Sequence, residues 1–148
     1  DHYWHARDFS AKLASIRFTS VKAAQPPDGL SMGDWGSPAS ALHATGPSSL
    51  LSLATEIGTQ ARWLLRQEPQ YLLSYPSNLA ALARYFHRER LTLPNLRQLR
   101  TVGETLTDDV RDACREAWGA VPLVDVYSSQ EVGYIALREA ETVSGTVY

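Results

Sequence analysis

Apolar positions along this chain recur in two rhythms, one close to 3.6 residues and one of short runs, and their alternation predicts helices interleaved with strands. Phe9, Leu13 and Ile16 recur at helical spacing, which predicts a helix across 1–15 feeding a short strand at 16–21. Pro26, Pro27, Gly29, Gly33, Gly36 and Pro38 punctuate 23–40, which reads as loop anchored at Trp35-Gly36. A strand is expected over 39–44, ended by the polar turn Thr45-Gly46-Pro47-Ser48-Ser49. Leu50, Leu53, Ala54, Ile57, Ala61, Leu64 and Leu65 then keep one helical face apolar, until Glu68-Pro69 stops the helix because proline cannot continue its hydrogen-bond ladder.

The second half is punctuated more sharply. A strand over 71–75 meets Pro76, which suits a first helical turn, and Leu79, Leu82, Ala83 and Phe86 carry the helix on. After a loop over 91–97 holding Pro94, a strand at 98–102 breaks at Gly103-Glu104. Thr107 is a good N-cap, Asp108 and Asp109 suit a first turn, Val110, Ala113, Cys114 and Ala117 form one stripe, and Gly119 closes the helix. A strand at 123–126 runs into a polar elbow over 127–133, and 134–137 is a further strand; 142–148 favours β structure without a partner. The fold expected is α/β, a three-layer, mostly parallel sheet with helices on both faces. The strands at 71–75, 98–102 and 123–126 should be parallel neighbours, with Glu104 and Tyr127 on one sheet edge.

Length and composition narrow the class. The 148 residues suffice for about one domain with its own core, and 44% hydrophobic with 20% charged residues is ordinary for a soluble globular protein. The net charge of −2 argues against nucleic acid or an anionic membrane as a partner. A lone cysteine, Cys114, excludes an internal disulfide framework and fits a reducing, cytoplasmic setting. No apolar run approaches the roughly 20 residues of a membrane span. The chain opens at Asp1 and stops at Tyr148 in a strand-like run, so it reads as a piece of something longer.

Candidate chemistry concentrates at the two strand ends. Ligands of open α/β sheets sit at the C-terminal ends of strands, where loops splay apart. Tyr127 offers a flat face to a base and Glu131 a carboxylate to a hard cation such as Mg²⁺. Other polar groups read more plainly: His2 and His5 as a solvated helix start rather than a metal pair, the 45–49 turn as a helix N-cap rather than a phosphate cradle. His87-Arg88-Glu89-Arg90 reads as a solvated helix end, and Cys114 as an inert core thiol.

At these residues the chain resembles a family. A strand ending in Gly-x-Glu-x-Leu, a helix with an early Arg, and a strand ending in Tyr-Gly-x-Thr-Glu mark the adenylate-forming acyl-CoA ligases. Gly103, Glu104, Leu106, Arg111, Tyr127 and Glu131 match, and the wording from Tyr71 through Leu79 is most similar to the phenylacetate-CoA ligase branch. Ser128 stands where that pattern has Gly and Gln130 where it has Thr, with Ser129 the nearest hydroxyl able to substitute. The resemblance implies part of a larger AMP-binding domain. It implies an adenine site walled by the Gly103-Glu104 backbone and stacked by Tyr127, with Ser128, Ser129 and Gln130 along the nucleotide and Glu131 holding Mg²⁺ as catalytic metal ligand. ATP would activate a small, aryl or phenylacetate-like carboxylic acid as its acyl-adenylate, AMP and a coenzyme A thioester following; Tyr75 and Ser77 are assigned to the acid pocket. The family's phosphate loop, ribose-binding Asp and catalytic Lys would lie outside residues 1–148, so this piece alone should not complete the reaction.

Two other classes compete. The altered Ser128 and Gln130 recommend a non-catalytic α/β nucleotide-binding or interaction domain. A serine hydrolase is disfavoured, since no Gly-x-Ser-x-Gly elbow occurs and His43 falls in an expected strand.

Overall fold

The computed structural model describes the backbone of residues 7–129 and 133–138 and the side chains of residues 7–126. Among the described residues seven strands form one sheet: β1 (Leu13–Arg17), β2 (Leu30–Met32), β3 (Ser48–Ser52), β4 (Tyr71–Ser74), β5 (Gln98–Val102), β6 (Leu123–Ser129) and β7 (Gly133–Arg138), in the order β2-β3-β1-β4-β5-β6-β7. The strands from β3 across to β6 run parallel, while β2 and β7 are antiparallel edges. The helices among the described residues are α1 (Ala39–Leu42), α2 (Ile57–Gln67), α3 (Pro76–Glu89) and α4 (Asp108–Trp118), with a 3-10 turn at Lys22–Ala24. The fold is thus α/β with a mostly parallel sheet, as the pattern of elements predicts.

Strand alternation assigns the two faces. Ala14, Ile16, Leu51, Leu72, Leu99 and Leu123 meet Trp63 and Leu64 of α2, Leu79, Leu82 and Phe86 of α3, and Val110, Ala113 and Cys114 of α4 in one continuous core. On the opposite face Tyr71 meets Trp35 edge-on at 5.5 Å, and Phe9 bridges Trp35 to His43 at the end of α1. Burial pushes the Cys114 thiol up to about 12, so it stays protonated in the core, as expected of an inert packing residue.

Four expectations in the first half are corrected: the stretch 23–40, expected as loop, holds β2, which becomes strand by pairing antiparallel to β3, and three others change as follows. The chain from 13 to 17 is strand β1, not helix, and no strand continues to residue 21; residues 1–6 of the expected helix lie outside the described residues. β1 sits between β3 and β4 with Ala14, Ser15 and Ile16 all buried, and a strand covered on both faces loses the period-2 signal. For the same reason 48–52, buried at every position, is β3 rather than the start of a helix. The helix α2 begins only where Glu56 caps it, its carboxylate accepting from the Gly58 N–H at 2.9 Å and the Thr59 N–H at 3.0 Å. Finally, 39–44 holds the helical turn α1 instead of a strand, since Ala, Ser and Leu without β-branching favour helix. His43 is its C-cap, not a strand residue.

The second half follows its punctuation. Pro76 opens α3, β5 spans the expected 98–102, Thr107 and Gly119 bound α4, and Arg90 ends α3 in left-handed backbone. Some boundaries move: β4 ends at Ser74 and β7 spans Gly133–Arg138, and β6 does not break at Tyr127 but continues to Ser129, because β7 supplies an antiparallel ladder that keeps it extended. Residues 142–148 lie outside the described residues.

Candidate functional site

Two elbows at one sheet edge, β4–α3 and β5–α4, carry four of the expected site residues. β4 and β5 are in register with Ser74 opposite Thr101, and β5 and β6 with Val102 opposite Val126. Gly103 and Tyr127 directly follow the paired Val102 and Val126. Tyr75, which follows Ser74, lies one residue short of Gly103 in register, so all three stand toward the C-terminal edge of neighbouring parallel strands. That is the edge where a parallel sheet offers ligands a crevice. Glu104 and Tyr127 thus belong to the same edge, as expected.

Below the edge, polar contacts fix the strands and the first elbow. Thr101 Oγ1 donates to Asp125 Oδ1 at 2.6 Å across β5 and β6. Under the β4–α3 elbow, Ser74 Oγ donates to the Ile16 carbonyl at 2.7 Å, and Asn78 Nδ2 donates both to Ser74 Oγ at 3.0 Å and to Gln60 Oε1 at 2.9 Å. Gln60 Nε2 in turn donates to the Thr55 carbonyl at 2.7 Å. Each bond satisfies a group that would be costly to bury alone, so α2, α3, β4 and β1 are tied together beneath the site. Sequence reasoning missed this network. A Gln and an Asn on otherwise apolar helix faces are its signal.

At the edge itself, Gly103 has φ +77°, a conformation that side chains rarely adopt. A Cβ there would stand 2.9 Å from Tyr75 Cε1, so space as well as backbone demands glycine. Tyr75 occupies the N-cap of α3 and Pro76 its first position. Glu104 reaches across to this helix: Ser77 N–H donates to Oε2 at 2.9 Å and Ser77 Oγ to Oε1 at 3.0 Å. Four of the expected site residues, Tyr75, Ser77, Gly103 and Glu104, are therefore in one cluster.

The remaining expected residues are described less fully. Tyr127, Ser128 and Ser129 are the last three positions of β6, with the ladder to β7 shifting register between Tyr127 and Ser128. Such irregularities re-aim a strand locally and are over-represented beside active sites. Ser129 pairs with Gly133; Gln130 and Glu131, between them, lie outside the described residues, as do His2 and His5. Among the described residues no group of three or more His, Cys, Asp or Glu side chains is placed to hold a metal.

The 45–49 turn is neither phosphate cradle nor helix cap, because it leads into β3 at the opposite, N-terminal edge. Gly46 packs against the backbone of Ser10 and Ala11, and Ser49 Oγ donates to Gln67 Oε1 at 2.9 Å. A recess lined by Arg111, Cys114, Arg115 and Leu123 likewise opens at the start of β6, away from the site. No described helix is long and apolar enough to cross a membrane.

Comparison with known proteins agrees with this architecture. No protein-family model matches the sequence, and no curated protein does. Solved structures do match. The chain is similar to the amide bond synthetase McbA from Marinactinospora thermotolerans at 28% identity and a TM-score of 0.54, over 64% of this chain and 19% of that one. A 2-hydroxyisobutyryl-CoA ligase, solved in an open conformation with 2-HIB-AMP and CoA, matches at 23% identity and 0.56, over 86% of this chain and 27% of that one. The luciferase-like enzyme of the nonluminescent mealworm Zophobas morio matches at 13% identity and 0.60, over 91% and 29%. The chain thus spans less than a third of the length of each of these enzymes, and it has the α/β fold of the part that it matches.

Proposed function

We propose that this chain is part of the nucleotide-binding domain of an adenylate-forming ligase, contributing the adenine and Mg²⁺ side of the site. The observation that carries the reading is the shared edge. The Gly103-Glu104 elbow and Tyr127 follow paired positions of two neighbouring parallel strands, and these are the residues that spell the family pattern. The likeness to an amide bond synthetase and to a CoA ligase holding an acyl-AMP supports the same class.

In this reading Tyr127 stacks on adenine and the Gly103-Glu104 backbone walls its edge, with Ser128, Ser129 and Gln130 following the nucleotide toward its phosphates. Gly103, lacking a side chain, lets the Tyr75 ring lie against the elbow beside the nucleotide. Glu131 is assigned to Mg²⁺ on sequence grounds; a hard cation there would offset phosphate charge. A carboxylate oxygen of the acid attacks the α-phosphorus of ATP, the bond to the β-phosphate oxygen breaks, and pyrophosphate leaves. A thiol such as that of coenzyme A then attacks the acyl carbon and AMP departs. Tyr75 faces the Gly103 elbow, which makes its ring the best candidate wall between nucleotide and an aryl or phenylacetate-like acid.

Acid-dependent exchange of labelled pyrophosphate into ATP by the full-length protein tests the proposal. Exchange with an aryl or arylacetic acid is expected. Nucleotide binding without exchange would support the competing reading of a non-catalytic binding domain, which the replacement of Gly and Thr by Ser128 and Gln130 favours.

A further inference from the structure

The first turn of α3 has no cap of its own. Tyr75 stands at the N-cap without a capping side-chain bond, and Pro76 behind it has no N–H to satisfy. The first open donor is the Ser77 N–H, and it is met from a different element. Glu104, 27 residues further along the chain, accepts that N–H with one carboxylate oxygen and the Ser77 hydroxyl with the other. The helix dipole favours an anion at this end, which adds to the pull. Because Gly103 is also pressed against the Tyr75 ring, the β5–α4 loop touches the β4–α3 elbow at two consecutive residues.

We infer that Glu104 is a positioning residue that works through Ser77. Its carboxylate is spent on the first turn of α3, and what it offers a nucleotide is a main chain held at fixed height beside Tyr75. Ser77 is likewise occupied by Glu104 rather than turned toward an acid. This inference rests on the adenylation reading. It changes one role within it, since the Ser77 hydroxyl assigned to the acid pocket does not touch substrate, and it gives the Glu104 side chain a role beside that of its backbone.

The test is pyrophosphate exchange by the full-length protein and its Ser77→Ala, Glu104→Gln, Glu104→Ala and Ser77→Ala/Glu104→Ala variants, with KM for ATP, KM for the acid and Mg²⁺ dependence read separately. Glu104→Ala should raise KM for ATP about fivefold, the equivalent of one lost helix cap. Glu104→Gln, which keeps one acceptor, should fall between it and the unaltered protein. The double variant should be no worse than Glu104→Ala alone, because the two side chains act as one contact. KM for the acid and the Mg²⁺ dependence should not move. Additive losses, or a shifted Mg²⁺ dependence in Glu104→Ala with Ser77→Ala unaffected, would mean that Glu104 acts on ligand directly and overturn the inference. Absence of exchange in the unaltered protein would overturn the adenylation reading itself, and with it the role given to Glu104.

Discussion

Tyr75 and Gly103 share one contact: the space that a side chain at 103 would need is filled by the Tyr75 ring, 2.9 Å from where a Cβ would stand. Backbone and packing thus make the same demand on residue 103, which distinguishes it from Gly119, whose φ is also positive but whose surroundings are open.

Gly103→Ala should therefore cost about 1–3 kcal/mol, from positive-φ strain together with the clash. Tyr75→Ala should relieve only the clash, so the double variant should melt higher than the two single losses summed would predict. Thermal melts of the three variants check this. Full additivity would mean that the ring and the glycine do not meet.

A second prediction concerns the network under the elbow. Gln60→Ala removes one of the two acceptors of Asn78 Nδ2 and the side-chain donor to the Thr55 carbonyl, breaking two buried hydrogen bonds. Such losses cost about 1–3 kcal/mol. Gln60 touches α3 beneath the site and not the edge itself, so denaturant melts should register the change while KM for the acid stays put.

A third follows from the cap of α2. The Gly58 N–H, then the Thr59 N–H, hold the Glu56 carboxyl below its ordinary value of 4.5. A carboxyl with a lowered folded value stabilises the protein above its unfolded value and loses that contribution as pH falls through the folded one. Glu56→Gln should thus melt lower than the unaltered protein at neutral pH, with the gap beginning to close below about pH 4.5. Melting curves from pH 7 to pH 3 follow it; a gap that widens on acidification would contradict the assignment.

A fourth addresses Glu131. The Gln variant keeps its volume but removes the anionic charge a hard cation needs, so adenylation should fall about tenfold or more. Rising Mg²⁺ should recover part of the loss by mass action. Glu116, exposed on α4, is the control, since Glu116→Gln should leave the rate alone. Pyrophosphate exchange against Mg²⁺ for both variants, with melts alongside, separates a metal ligand from a structural cap: a loss matched by a collapsed melt would return Glu131 to the latter.

How far these features were legible in the sequence depended on their locality. Pro76 and Gly119 act through their own dihedrals, and α3, β5 and α4 appear at the expected places, Thr107 standing at the N-cap of α4 in extended backbone without a side-chain capping bond. β1 and β3 are buried on both faces by elements distant in sequence, so Leu13, Ile16, Leu50 and Leu51 carried no strand period and imitated a helix. The extension of β6 past Tyr127 needed β7 as partner, which no local pattern announces. Within the site, Gly103 and Glu104 could be picked out as a strand-end elbow. That Glu104 would cap α3 through Ser77, or that Gly103 would lie against Tyr75, is a product of strand register, and only the folded sheet displays it.

The central claim is that an acid carboxylate is activated by attack on the α-phosphorus of ATP at this edge. Supplying the full-length protein with a carboxylic acid labelled with ¹⁸O in both oxygens, together with ATP and coenzyme A, and weighing the AMP formed, tests it directly. The bridging oxygen of an acyl-adenylate comes from the acid and stays with phosphorus when the thiol attacks carbon, so the account predicts AMP carrying one ¹⁸O. Unlabelled AMP, or label in inorganic phosphate instead, would place the attack elsewhere and contradict it.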